Sequence, residues 1–279
     1  MKKPLAEISL LPRVSPGRAP FEFFMTPRDI GLFLLSARTD AMIARLRATN
    51  GARAAFEAVY SRWNDPWMSA SPRYRYQRRK YEQVVGLLSH RRFRRALDLG
   101  CGLGLLAQLL APQVGELLGL DIAEAAIDRA RQRAALFPNL HFEQADLLEL
   151  PRSLNHRYDL VLLVDTLYYL SPLDDETLKR VAMRVADLLV PGGLCVLVNH
   201  YFFAADSDSR ISRRIHRAFS WSSRFRLDSE HRKPFFLASL LTEQLDLADA
   251  VNSTSNRHED NAAGNLCSTQ ADWHARDRP

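Results

Sequence analysis

"RRALDLGCGLGLLAQLL", Arg94 to Leu110, runs from a short apolar segment through three glycines in five residues into a second apolar segment. "ALDL" has the length and unbroken hydrophobicity of a buried strand, and "GLLAQLLAPQ" reads as the helix after it. Glycine lets a backbone turn tightly and lie close to a ligand. The loop Gly100-Cys101-Gly102-Leu103-Gly104 is therefore the expected binding loop of a strand–loop–helix unit.

Downstream, the same grammar repeats. "ELLGLDI" is a second strand and "AEAAIDRARQRAALF" a helix ended by Pro138. "LHFEQADL" is a third strand, "YDLVLLVDTL" a fourth, "DETLKRVAMRVADLL" a helix stopped by "VPGG", and "GLCVLVNHYF" a fifth strand. Apolar strands joined by helical crossovers imply a parallel sheet covered on both faces. Ile211, Ile215 and Phe219 then mark a helix, and "RFRLDSEHR" and "PFFLASLL" read as a closing pair of strands that add an antiparallel edge. The expected fold class is α/β: a doubly wound, mostly parallel, seven-stranded sheet of Rossmann-like form.

Upstream, a helical pattern runs from Pro27 to about Arg47 (Ile30, Leu34 and Ala37; Met42, Ile43 and Leu46), and Gly51 reads as its stop. Tyr81, Val84, Val85 and Leu88 recur as the apolar stripe of a second helix. The organisation expected is a leader over 1–50 that includes one helical stretch, a helical lid over 51–93, the main domain over 94–241, and a polar, unstructured tail over 242–279.

Composition narrows the class. With 279 residues, 47% hydrophobic and 25% charged, the chain has the make-up of a soluble globular protein. Its longest apolar runs, such as "YDLVLLVDTLYYL", are interrupted by acids and too short for a membrane span. In "MKKPLAEISLLPRV", Glu7, Pro12 and Arg13 break any segment of signal-peptide length. Cys101, Cys195 and Cys267 suggest neither a disulfide framework nor a metal site, so a cytoplasmic location is expected. The net charge of +6 is clustered: Arg73 to Arg95 holds nine Arg or Lys against one Glu, and Arg210 to Lys233 is a second basic stretch. Such clusters can attract a polyanion, or simply form a solvated helix face.

Acids at successive strand ends give the site its character. The loop is G-x-G-x-G, where the dinucleotide fingerprint is G-x-G-x-x-G, and Asp98 stands just before it. A carboxylate would repel a pyrophosphate but is favoured beside an ammonium. S-adenosylmethionine offers an ammonium, a sulfonium and no phosphate, so Asp98 favours it over NAD. Asp121, ending the second strand, suits a ribose diol. Ile122 can pack on an adenine face, and Asp146 can accept from an adenine amino group.

From about Phe56 to Leu241 the chain resembles a class I S-adenosylmethionine-dependent methyltransferase. "ALDLGCGLG", "LGLDI", "QADLLEL", "YDLVLLVDTLYYL" and "LVPGGLCVLV" are similar to that family's successive motifs. The resemblance implies S-adenosylmethionine as cofactor, bound by Asp98, Gly100, Cys101, Gly102, Gly104, Asp121, Ile122, Asp146 and Leu147. Within the class, "NDPWMSASPRYRYQRRKY" and "VDTLYYL" are similar to the nodulation protein S group, which N-methylates the amino sugar of lipo-chitooligosaccharides. Trp67, Tyr76, Arg79 and Tyr81 match that group's "W…YxxRKY" pattern, in which an arginine fork can pair with the methionine carboxylate. Arg79 and Tyr81 are thus expected on the cofactor side of the lid.

The acceptor is expected above the fourth and fifth strands, where Asp165, Thr166, Tyr168 and Tyr169 meet Asn199, His200 and Tyr201. His200 is the candidate base, and Asp165 would hold the acceptor amine or touch the cofactor's methionine end. One of Tyr168 and Tyr169 is expected to face the pocket. The expected acceptor is a small molecule or glycan, most simply an amine. An RNA methyltransferase, suggested by the arginine clusters, and a non-catalytic cofactor-binding module are the alternatives.

Overall fold

The computed structural model describes residues 26–170, 173–202, 206–233 and 235–244. The sheet strands are β1 (Phe93–Leu99), β2 (Val114–Asp121), β3 (Leu140–Gln144), β4 (Tyr158–Val164), β5 (Leu189–Tyr201), β6 (Phe225–Lys233) and β7 (Phe235–Glu243), in the order β3-β2-β1-β4-β5-β7-β6. The unbroken apolar runs become β1 to β5, all parallel. The closing pair is refined. β7 runs antiparallel to β5, and β6 is antiparallel to β7, so the reversed strand lies one place in from the edge.

Strand side chains alternate between faces, and each face has its own helical cover. Ala96, Leu160 and Val196 share one core layer with Leu106, Leu110 and Ile127. Leu97, Val161 and Leu197 share the other with Leu178, Val185, Ile215 and Phe219. These helices are α3 (Leu105–Leu110), α4 (Glu124–Arg133), α5 (Asp175–Leu188) and α6 (Ser207–Ser220). Each fully buried Leu, Ile or Phe contributes roughly 1.5–3 kcal/mol from area removed from water. α4 ends at Arg133, ahead of Pro138.

The N-terminal part departs from expectation. α1 spans Pro27–Arg62, and α2 spans Arg75–Gly86. Thr26 caps α1: its hydroxyl accepts from the Asp29 N–H at 3.2 Å, and Asp29 Oδ2 accepts from the Thr26 N–H at 3.0 Å. Such a reciprocal cap is worth about 0.5–2 kcal/mol. Asp29 Oδ1 also accepts from the Tyr76 N–H at 3.3 Å, tying the start of α1 to the start of α2.

Gly51 has φ 79 and ψ 170, a conformation open to glycine and outside the helical region, so it stops the first helical stretch as expected, and α1 is two helices joined there at a kink. The chain re-enters a helix, whose Phe56, Val59 and Tyr60 pack with Leu103, Ala123 and Ala126. Ile43, from before the kink, belongs to the same cluster. Residues 27–50 are therefore part of the packed structure with 51–93. The leader before residue 26 and the tail after residue 244 lie outside the described residues. Among the described residues, no helix is long and apolar enough to cross a membrane.

Candidate active site

A cavity of about 280 Å³ lies over the C-terminal ends of β1, β2, β4 and β5, beneath α1 and α2. Ligands of open parallel sheets bind at this edge, and the volume is near the lower end of ordinary ligand sites. Leu99, Gly100, Cys101 and Gly102 form its floor at β1, Asp121 and Ile122 at β2, and Val164 and Asp165 at β4.

The three loop glycines serve different ends. A Cβ on Gly100 would collide with the Thr166 side chain, whose hydroxyl donates to Leu99 O at 2.9 Å. A Cβ on Gly104 would meet the Phe142 ring at 2.9 Å, so that glycine lets α3 and α4 close on the sheet. At Gly102, φ is 50 and a Cβ would meet only the Tyr60 hydroxyl, at 3.0 Å. Gly102 faces the cavity. Gly104, expected to touch the cofactor, does not line it; its role is packing.

Asp121 anchors this loop. Its Oδ2 accepts from the Gly102 N–H and its Oδ1 from the Ala123 N–H, both at 3.0 Å. Burial pushes its carboxyl up to about 6 despite these donors. Asp146 lines the cavity and accepts from the Leu148 N–H at 2.9 Å, capping a one-turn helix. Ile122, Leu147 and Tyr81 line it as well.

Two expected cofactor residues lie elsewhere. Asp98 is 2% exposed and does not line the cavity. Strand alternation puts it on the face of Ala96, so its neighbour Leu99 reaches the floor instead. Burial, reinforced by the charge of Asp121, pushes Asp98 up to about 7. Burial thus disfavours its anionic form. Arg79 is exposed and does not line the cavity either. Tyr76, Lys80 and Val84 form the buried stripe of α2, and Arg79 falls just off it.

At the acceptor end, Asp165, Tyr168 and His200 come together as expected. His200 Nδ1 is 3.8 Å from Asp165 Oδ1, and the His200 ring lies 5.4 Å from that of Tyr168 and 5.8 Å from that of Phe202. Burial would raise the Asp165 carboxyl, but Lys80 and then His200 hold it below the usual range. Both tyrosines face the cavity, because Leu167–Tyr169 is a helical turn that swings the two rings to 4.3 Å apart. Asn199 and Tyr201 point away: Asn199 is buried against His216, with Nδ2 3.2 Å from its Nε2.

The cap supplies residues that the sequence reading missed. Asp40 Oδ1 accepts from Trp67 Nε1 at 2.7 Å and from the Tyr169 hydroxyl at 2.5 Å, clasping α1 to the end of β4. Phe33 stacks edge-on to Phe202 at 5.0 Å, and Phe56 to Tyr169 at 5.2 Å. Arg47 contributes the one guanidinium in the wall, among the carboxylates of Asp40, Asp121, Asp146 and Asp165.

The strand order, the glycine loop after β1 and the carboxylate after β2 together give an open, Rossmann-like architecture with its cavity at the strand ends. The chain matches the methyltransferase-domain family over residues 96–193. More particularly, it is similar to nodulation protein S of Rhizobium tropici, at 26% identity over 152 residues, 54% of this chain and 58% of that protein. It is 33% identical over 141 residues to the ubiquinone biosynthesis O-methyltransferase of Alkalilimnicola ehrlichii, 50% of this chain and 55% of that protein. The chain spans less than two thirds of the length of these curated relatives. The solved N-methyltransferase NodS from Bradyrhizobium japonicum in complex with S-adenosyl-L-homocysteine shares the fold at TM-score 0.55 and 20% identity, over 67% of this chain and 97% of that one.

The residues fit such a cofactor. Gly102 leaves room where any side chain would intrude, Asp121 would be placed to meet a ribose, and Ile122 and Leu147 would offer apolar faces to adenine.

Proposed function

We propose that the protein transfers a methyl group from S-adenosylmethionine to a small acceptor bearing an amine. The cofactor supplies an activated methyl carbon. What the chain must add is a pocket that brings acceptor and methyl into line, an effect worth up to roughly 7–11 kcal/mol, and a group that takes the acceptor's proton. His200 is the proton acceptor. Asp165, kept anionic, stabilises the imidazolium that results, and Tyr168 packs on the ring and orients it.

The observation that carries this reading is the joint wall of the cavity. One end is the glycine loop with Asp121; the other combines two carboxylates, Asp40 and Asp165, with the rings of Phe33, Trp67, Tyr168 and Phe202. Carboxylates and aromatic faces both favour a cationic or sugar-borne nitrogen. The name of the solved NodS neighbour, an N-methyltransferase, agrees with a nitrogen acceptor, and those of the ubiquinone O-methyltransferase relatives keep a hydroxyl acceptor in view.

Incubation with isotopically methyl-labelled donor and a panel of primary amines, amino sugars and phenols tests the proposal. Label on nitrogen of an amine is expected. Label on phenols alone would replace it with O-methylation. No transfer despite tight binding of S-adenosylhomocysteine would leave a cofactor-binding module. The RNA reading rests on the exposed arginines at 75, 78, 79, 91 and 92. It requires tRNA to be methylated with an affinity that drops steeply as salt rises.

A further inference from the structure

Lys80 is among the largest fully buried side chains of the described residues. Its Nζ hydrogen-bonds and ion-pairs with Asp165 Oδ2, 5.8 Å from the centroid of the Phe236 ring. Lysines are almost never fully buried unless paired, and an uncompensated ammonium inside a protein costs several kcal/mol. This one is carried from α2 on the cap to the end of β4 on the sheet. Asp165 itself is held in the left-handed region, φ 58, with its N–H donating to Val198 O at 2.9 Å. A non-glycine residue there is uncommon and, at a ligand cavity, points to function.

The two carboxylate oxygens have unlike fates. Oδ2 is engaged by Lys80. Oδ1 is buried, has no hydrogen-bond partner, and lies 3.8 Å from His200 Nδ1 on a residue that lines the cavity. The other titratable groups facing Asp165 are phenols: Tyr74, Tyr76 and Tyr81 from the cap, and Tyr168 and Tyr169 from the turn after β4. All five are pushed up by burial and stay neutral, so Lys80, and after it His200, are the groups that hold this carboxylate down.

We propose that Lys80 is a positioning residue: it fixes the charge and orientation of Asp165 through Oδ2, so that Oδ1 is presented to the acceptor nitrogen and to protonated His200. The inference rests on the amine-methylation reading above. When the acceptor nitrogen bonds to the methyl carbon and the donor's sulfur–carbon bond breaks, the nitrogen's proton passes to His200. Asp165 balances the imidazolium, and Lys80 neither gains nor loses a proton. The signal was present in the sequence, since Lys80 stands four and eight residues before Val84 and Leu88 on the buried stripe.

The test compares wild type, K80M, K80R and the double variant K80M/D165N. Asp165 is followed by carboxyl-carbon NMR titration, its signal assigned by loss in D165N, and donor-site integrity by calorimetry with S-adenosylhomocysteine. Methyl transfer is followed with the best amine of the panel. In K80M, Asp165 should titrate about two units higher, the acid limb of kcat/KM should move up with it, and kcat should fall about a hundredfold. S-adenosylhomocysteine affinity should stay within about threefold. K80R should restore both the titration and the pH profile, and K80M/D165N should regain the melting temperature that K80M loses. An unmoved Asp165 titration in K80M overturns the proposal, as does a moved titration with an unchanged acid limb. If wild type methylates no amine while the K80M titration shifts, the amine reading falls and the Lys80–Asp165 coupling stands.

Discussion

The floor of the cavity and its roof are built by opposite rules. The floor is local: Gly100 to Gly102, Asp121, Ile122 and Asp146 sit at the ends of strands whose order and register are fixed by apolar runs. The roof is assembled from afar. Asp40 meets Tyr169, Phe33 meets Phe202, and Lys80 meets Asp165, contacts that join residues 85 to 169 positions apart. A floor set by strand ends can be recognised from short motifs. A roof set by which side of a helix meets which distant turn cannot, and it is the roof that would frame the proposed acceptor.

The largest effect that would break this comparison belongs to the floor. Gly102→Val places a branched side chain where φ is 50 and the only neighbour is the Tyr60 hydroxyl. It should abolish S-adenosylhomocysteine binding in calorimetry and cost about 1–3 kcal/mol of stability from the strained backbone. Undiminished affinity would mean that the open space at Gly102 is not the donor site.

Asp121→Ala should weaken the same ligand by about 1–3 kcal/mol, or roughly fivefold to 150-fold, through lost hydrogen bonds to ligand and loop. If Asp40→Ala produced an equal loss of donor affinity, floor and roof would not divide donor from acceptor. The expected effect of Asp40→Ala is a rise of about tenfold in acceptor KM with donor affinity unchanged, since it removes two hydrogen bonds of the clasp.

Asp98 sharpens the comparison by pH. Its folded-state value is raised to about 7, so the native protein keeps a proton that the unfolded chain releases. That contribution is full below the unfolded value near 4 and is lost as pH climbs through about 7. Asp98→Asn should therefore stabilise the unliganded protein at pH 8 by about 2–4 kcal/mol and leave it little changed at pH 4. Urea titrations at the two pH values read the difference. Equal effects at both would show that Asp98 is ionised in the fold.

The smallest effect should come from Arg79→Ala, which removes an exposed side chain outside the cavity wall. S-adenosylhomocysteine affinity should stay within about twofold, the scatter of ordinary surface changes. A loss of tenfold or more would return the methionine carboxylate to Arg79.

These differences explain what the sequence made legible. The strands were readable because β1 to β5 are buried on both faces and so unbroken in hydrophobicity. The loop was readable because glycines there are demanded by collisions at Gly100 and Gly104 as much as by a ligand at Gly102. The errors were of direction. Asp98 was placed at the cavity because its position along the strand was right while its face was not. Arg79 was named because arginine suits a carboxylate, and the buried residue beside it was passed over, yet one residue on a helix turns a side chain by about a quarter turn. Gly51 does stop the first helix, but nothing in composition shows that a second resumes at once. Residues 27–50 looked like a leader because periodicity marks a helix without saying what it covers.

The segment shared with the methyltransferase-domain family closes at residue 193, whereas Asp40, Lys80 and His200 all fall outside it. The cavity is thus closed by side chains from flanks that the matched segment does not include, so its roof can vary while its floor stays fixed.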